Sequence, residues 1–415
     1  MAPRKRIFAF LFLVVVASCI DPYYPEIKNY NSILVVEGLI TNENCSYRIR
    51  LQRTTKEEDA TPERVTDANV YIIDKEGITT DLKNCYDGYY KTDSTSFTGV
   101  IGQKYTLLIH TSDGKDYKSE ECTLLPVAGI DKLYYEKGEE TFGNTGESYT
   151  GLKILLNSAD ATGMNQYFRW TFDEVWKFNI PYPQQYTFAH LHDTTYYFES
   201  LPVIENICWK KNQSTEILTN SIISGVGNNI NKQLIQFIAP IKTDRLTRQY
   251  SILVKQYSIS AKEFDFWNNL KKTGESGGDI FASQPYPVIS NIHNVNNINE
   301  KVLGYFEVSS VSRKRMFITE KELNQLDLPN YKSDCKFIEK GPDDFPGSQM
   351  SFTDIYHMYT NKGYTFVWPE VKDGTVVAGN VYERNLRKLV FTTPACAICE
   401  FTGFAEKPDF WIDLE

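Results

Sequence analysis

The stretch Ser46-Tyr-Arg-Ile-Arg-Leu-Gln-Arg53 alternates strictly, with Tyr47, Ile49 and Leu51 on one side of an extended chain and Arg48, Arg50 and Gln52 on the other. A period of two marks a strand with one buried face. Working outward, Ser32-Ile-Leu-Val-Val-Glu-Gly-Leu-Ile40 and Ala68-Asn-Val-Tyr-Ile-Ile73 also read as strands. Lys104 to His110 and Tyr117 to Leu125 flank Ser112-Asp-Gly-Lys115, where Asp-Gly supplies the positive φ of a tight hairpin. Short strands at this spacing predict an immunoglobulin-like β-sandwich over 32–128, with Pro126 to Gly129 as its exit linker.

The remainder, 129–415, reads as a larger aromatic-rich β domain with one or two short helices, so the fold class is mainly β. Gly151-Leu-Lys-Ile-Leu-Leu-Asn157, Tyr167-Phe-Arg-Trp-Thr-Phe-Asp-Glu-Val-Trp176 and the run from Arg248 to Ile259 are dense in aromatic and β-branched residues, as strands are. Ser260 to Gly274 predicts a helix: a serine cap, Glu263 at the capping-box position, apolar Phe264, Trp267 and Leu270 at helical spacing, and Gly274 as the stop. A second short helix is expected from Thr319 to Leu326, capped by Thr319 with Glu322 three residues on.

The amino terminus carries a different message. Arg4, Lys5 and Arg6 precede an apolar run from Ile7 to Ala17, then Ser18-Cys19. These are the parts of a signal peptide, here 1–18, and the apolar run is shorter than the roughly 20 residues that span a bilayer. Val16-Ala17-Ser18-Cys19 resembles the bacterial lipobox, which makes Cys19 the lipid-bearing first residue of the mature chain, followed by a Pro-containing tether, 19–31. Taking the three basic residues of the signal from 44 Lys+Arg leaves 41 against 53 Asp+Glu, a formal charge of −12. Such a surface repels polyanions, so nucleic acid is not an expected partner.

Few motifs suggest chemistry. Gly274-Glu-Ser-Gly-Gly278 has the letters of a nucleophile elbow, but a helix leads into it where a strand should, so a Gly/Ser turn is the plainer reading. His190 and His192 share one face of a strand, yet no paired-Cys or H-E-x-x-H motif accompanies them, and an exposed polar strand is the alternative to a metal site. Cys396-Ala-Ile-Cys399 has redox spacing without a thioredoxin-like context, and reads as a candidate structural disulfide, local or to other cysteines. Seven cysteines follow Cys19, an odd number, so at least one is free or intermolecular. Aromatic clusters from Phe178 to Tyr186, including Tyr182 and Tyr186, and Tyr196-Tyr197-Phe198 offer flat surfaces for a glycan or peptide, or else cover the sheets. No cofactor is called for.

Several landmarks then line up: the lipobox, Ile33-Leu-Val-Val-Glu-Gly38, Trp170-Thr-Phe-Asp-Glu-Val-Trp176, the segment from Ile280 to Ile292, Val302-Leu-Gly-Tyr-Phe-Glu-Val-Ser-Ser310, and the ending Cys396-Ala-Ile-Cys-Glu-Phe-Thr-Gly403 with Lys407-Pro-Asp-Phe-Trp411. Together they resemble the domain-of-unknown-function 4249 family of Bacteroidota lipoproteins. The resemblance implies an outer-membrane, cell-surface accessory to a TonB-dependent receptor, and brings no catalytic residues with it. Surface lipoproteins of that phylum often carry acidic residues just after the cysteine, and this sequence departs from that pattern, with only Asp21 and, later, Glu26. The expectation is a non-catalytic lipoprotein that binds a ligand or a transporter. An adhesion or assembly protein is the first alternative. A hydrolase whose carboxylates meet only in three dimensions is the second.

Overall fold

Strand β1 (Leu34–Ile40) runs antiparallel to β2 (Arg48–Arg53), and the period-two pattern places Ile49 and Leu51 in the core. The computed structural model describes residues 32–56, 61–93, 97–142, 146–159, 166–192, 195–202, 206–222, 229–276, 288–344, 357–358, 363–371, 380–382 and 386–414. The signal peptide, Cys19 and the tether lie outside the described residues. Strands β3 (Glu63–Arg64), β4 (Asn69–Asp74), β5 (Thr79–Asn84), β6 (Tyr89–Lys91), β7 (Lys104–His110), β8 (Asp116–Ser119) and β9 (Cys122–Thr123) continue the same ladder. Its β7–β8 turn is the expected one: Gly114 has φ +78°, and the Thr111 N–H donates to the Lys115 carbonyl at 3.0 Å.

The chain next builds β10 (Ile130–Phe142), β11 (Glu147–Ala159), β12 (Gln166–Asn179), β13 (Tyr186–His192), β14 (Thr195–Ser200), β15 (Ile207–Gln213), β16 (Leu218–Ile222), β17 (Asn229–Ile238) and β18 (Tyr250–Ile259). Helix α1 (Ala261–Ser276) follows, then β19 (Ile292–Asn294) and β20 (Val302–Val308). These two strands return to the first sheet. β19 pairs with β8, and β20 lies parallel to β1, with Leu34 beside Val302 and Ile40 beside Val308. The boundary expected at 128 therefore needs correction: the unit 32–128 lacks two of its strands. The reason is in the core, where Ile292, Phe306 and Val308 pack with Leu34, Val36, Ile72 and Leu107. Gly304, at φ +85°, permits the β1–β20 approach, because a Cβ there would meet the Val36 carbonyl.

β21 (Val311–Ile318) joins β18, helix α2 (Glu320–Gln325) follows, and β22 (Phe337–Lys340), β23 (Thr365–Val371), β24 (Asn380–Tyr382) and β25 (Leu386–Thr392) complete the order. The sheet β10-β11-β17 faces the sheet β15-β12-β18-β21, to which β16 is attached through β12. Between them lies a second core of Leu152, Ile154, Phe168, Trp170, Ile235, Ile252 and Val254. Trp170 is fully buried. Its indole N–H donates to Gln256 Oε1 at 2.8 Å, and Gln256 Nε2 in turn donates to the Ala128 carbonyl, so no polar atom of this pair is orphaned. Two small sheets, β13-β14-β24 and β22-β25-β23, meet through the stacked rings of Phe198 and Phe366, whose centroids are 4.2 Å apart. Among the described residues no helix is long and apolar enough to cross a membrane.

Helix α2 carries the full capping box, with Glu322 N–H on the Thr319 hydroxyl and the Thr319 N–H on the Glu322 carboxylate. At α1 only half of the box forms. The Ser260 hydroxyl accepts from the Glu263 N–H at 3.2 Å, but the Glu263 side chain turns away to Ser309.

Candidate functional site

The end of β12, strand β15 and the short turn at 244–248 form one wall of a pocket of about 470 Å³, and the segments at 331–335 and 393–402 form the other. The second wall is held by cross-links. Cys335 is bonded to Cys396, and Cys399 to Cys208. The local Cys396–Cys399 pairing left open by the spacing is therefore not the one made. Pro394–Cys396 and Cys399–Phe401 form two 3-10 turns in succession, and each cysteine ties its turn to a different element. The remaining described thiols are Cys45, exposed, and Cys85 and Cys122, partly buried. Burial, reinforced by the Glu263 charge, pushes the Cys122 thiol up to about 12, which makes it a poor nucleophile at neutral pH.

The lining charges of this pocket are Lys210, Arg248, Asp244 and Asp334, and the first three are paired. Lys210 Nζ lies 2.7 Å from Asp244 Oδ2 and 4.3 Å from the centre of the Phe178 ring, while Asp244 also accepts from the Trp176 indole N–H at 3.0 Å. Arg248 donates to Glu320 at 2.7 Å and to Asn179 at 3.2 Å. Tyr331, 37% exposed, stands at the opening, its hydroxyl held protonated by burial and by the Asp244 and Asp334 charges. Thr402 Oγ1 is buried in the wall with no hydrogen-bond partner among the described residues. Hydroxyls, an amide, two rings and balanced charges suit a polar, uncharged ligand surface. Neither lining cysteine offers a thiolate, since both are in a disulfide.

The structure brings only part of the sequence-singled segments to this pocket. Phe178 and Pro181 line it, but Tyr182 turns its ring edge-on to Phe337 at 5.4 Å, and its N–H donates to the Cys396 carbonyl. Tyr186 is half-buried at the start of β13. Tyr196 and Tyr197 lie on β14, opposite His190 and Ala189; their side chains, and those of His190 and His192, lie outside the described set. No group of three or more His, Cys, Asp or Glu residues able to hold a metal occurs among the described residues. Gly274 to Ser276 end helix α1, and Gly277 and Gly278 are outside the described residues.

A second constellation was invisible in the sequence because its members are spread from β12 to β20. Arg169 donates to Glu307 at 2.6 Å, and its guanidinium lies 4.8 Å from the Tyr257 ring centre and 4.5 Å from that of Trp267. Burial would depress this guanidinium, but the Glu307 and Glu263 charges outweigh it and hold Arg169 above its ordinary value. Glu263 is driven the opposite way for an acid. Enclosure and the neighbouring Glu307 carboxylate raise it well above the usual carboxyl range, so the neutral form is favoured. The cluster joins β20 of the first sandwich to β12 and α1 of the second.

A family model described as "Domain of unknown function (DUF4249)" matches residues 20–315. The chain belongs to the DUF4249 family. The match takes in the first sandwich, the strands through β20 and most of β21, and leaves the disulfide wall of the pocket outside the DUF4249 range. No curated protein matches this DUF4249 chain. A solved chain described as "Biofilm associated protein - BSP domain" is similar at 8% identity, covering 90% of this chain and 80% of that one, with a TM-score of 0.11. That superposition is too loose to assign a shared fold.

Proposed function

We propose that this chain is a non-catalytic outer-membrane lipoprotein, anchored through Cys19 at the cell surface, that binds an extracellular glycan or peptide and serves a TonB-dependent receptor. The observation that carries the binding part is the charge-balanced pocket between β15 and the disulfide-held segment 393–402. The lipobox at 16–19 and the family resemblance support the anchor and the receptor.

The rival hydrolase reading has one pair of converging carboxylates in its favour, Glu263 and Glu307. They lie buried beside the Arg169 guanidinium, whereas glycosidic cleavage needs carboxyls about 5 Å or more apart facing a cleft. Affinity purification of the full-length lipidated protein from solubilised outer membranes tests the proposal. A stoichiometric TonB-dependent receptor in the eluate is the expected result. Its absence from extracts that contain the receptor moves the reading to adhesion.

A further inference from the structure

Consecutive residues of the turn at 244–246 line different cavities: Asp244 faces the pocket described above, and Arg245 faces another of about 570 Å³ between β11, the end of β17 and the turn 240–243. Arg245 is only loosely paired. Its guanidinium lies 5.3 Å from the Trp176 ring centre, and its nearest carboxylate oxygen, on Glu174, is 3.6 Å away. That carboxylate is fully buried and already accepts from Tyr250 at 2.5 Å and from Asn212 at 2.9 Å. Arg245 Nε is itself buried, with no acceptor among the described residues. A guanidinium presents five donors in a fixed fork, and a buried donor without an acceptor is costly enough that native structures usually supply one.

The other residues of this cavity suggest which acceptor. Lys242 lies 5.0 Å from the Tyr149 ring centre and has no carboxylate within ion-pair distance among the described residues. Glu147 is at the rim, engaged by the Tyr149 hydroxyl, and its negative charge opposes a multiply charged guest. Phe237, Ile238 and Ala239 supply an apolar wall. We propose that this cavity is a second binding site, for a small monoanion with an apolar body, its carboxylate meeting Arg245 and Lys242 and its body lying against Phe237 and Ile238. With Glu174 3.6 Å from Arg245 and Glu147 at the rim, the site leaves room for no more than a single negative charge beside Arg245 and Lys242, and the planar fork of Arg245 matches a carboxylate.

Titration calorimetry on the full-length protein, with benzoate, butyrate and the uncharged isostere benzamide as probes, tests this. Saturable binding of a carboxylate, at least about ten-fold tighter than benzamide (about 1.4 kcal/mol), is the expected result. Lys242→Met, which leaves the Glu174 contact intact, should weaken carboxylate binding by about as much and leave benzamide unchanged. Arg245→Lys, which keeps the charge but loses the fork, should do the same, with the melting temperature reporting whether it folds. Equal affinity for benzoate and benzamide, unchanged carboxylate binding in both folded variants, or no saturable binding of either carboxylate overturns the proposal, the last outcome meaning that water alone satisfies Arg245.

Discussion

At Arg169 one guanidinium serves two carboxylates inside the protein, and the arithmetic of that ratio governs what substitutions there do. Removing the cation leaves buried carboxylates uncompensated, so Arg169→Met should cost about 3–5 kcal/mol in chemical denaturation. A loss within the range of surface substitutions would show that the cluster is wetter than its burial indicates. Glu263 gives the pH dependence its sign. Its folded value lies above the ordinary 4.5, so its contribution is fully present below that value and is lost as pH rises through the folded value. Glu263→Gln is neutral throughout, so its melting temperature should gain on the wild type as pH rises from about 5 to 9. Parallel curves would contradict the shift. Little of this was legible beforehand: Glu263 reads in sequence as the reciprocal half of a capping box, and only the return of β20 brings Glu307 and Ser309 to claim its carboxyl instead.

Among elements, local signals carried furthest where no distant partner intervened. The period of two at 46–53, the Asp-Gly turn and the Thr319 box each specify their own geometry within a few residues, and each formed as read. Thr319→Ala should accordingly cost about 1 kcal/mol, measured by thermal unfolding. Disulfide pairing is the opposite case, since spacing shows that Cys396 and Cys399 are near each other but says nothing of Cys208 or Cys335. Non-reducing peptide mapping should recover Cys208–Cys399 and Cys335–Cys396, and a 396–399 linkage would refute the arrangement. Loop-closure entropy makes the bond across 191 residues worth about 5 kcal/mol and that across 61 about 4, so Cys208→Ala with Cys399→Ala should lower the melting temperature more than the other pair does.

For the whole molecule, the first sandwich borrows two strands from beyond residue 290, so a fragment spanning 32–128 should fail to give dispersed amide resonances while the full chain does. The class of the fold was readable because alternation is local; the parallel β1–β20 pair was not, because the pattern within a strand carries no record of which edge it joins. Of the pocket, Phe178, Pro181 and Cys396 lie in segments that composition singled out, whereas Lys210, Asp244 and Tyr331 became neighbours only through folding. The central proposal, that the chain is lipid-anchored and works through that pocket beside a receptor, is tested most directly by photo-crosslinking in intact cells. A benzoylphenylalanine placed at Tyr331, at the opening, is compared with one at the exposed Ile78 on the first sandwich. The account predicts membrane-bound adducts with a TonB-dependent receptor or its cargo from position 331 and none from 78. Adducts from 78 alone, or a protein recovered free of the outer membrane, would contradict it.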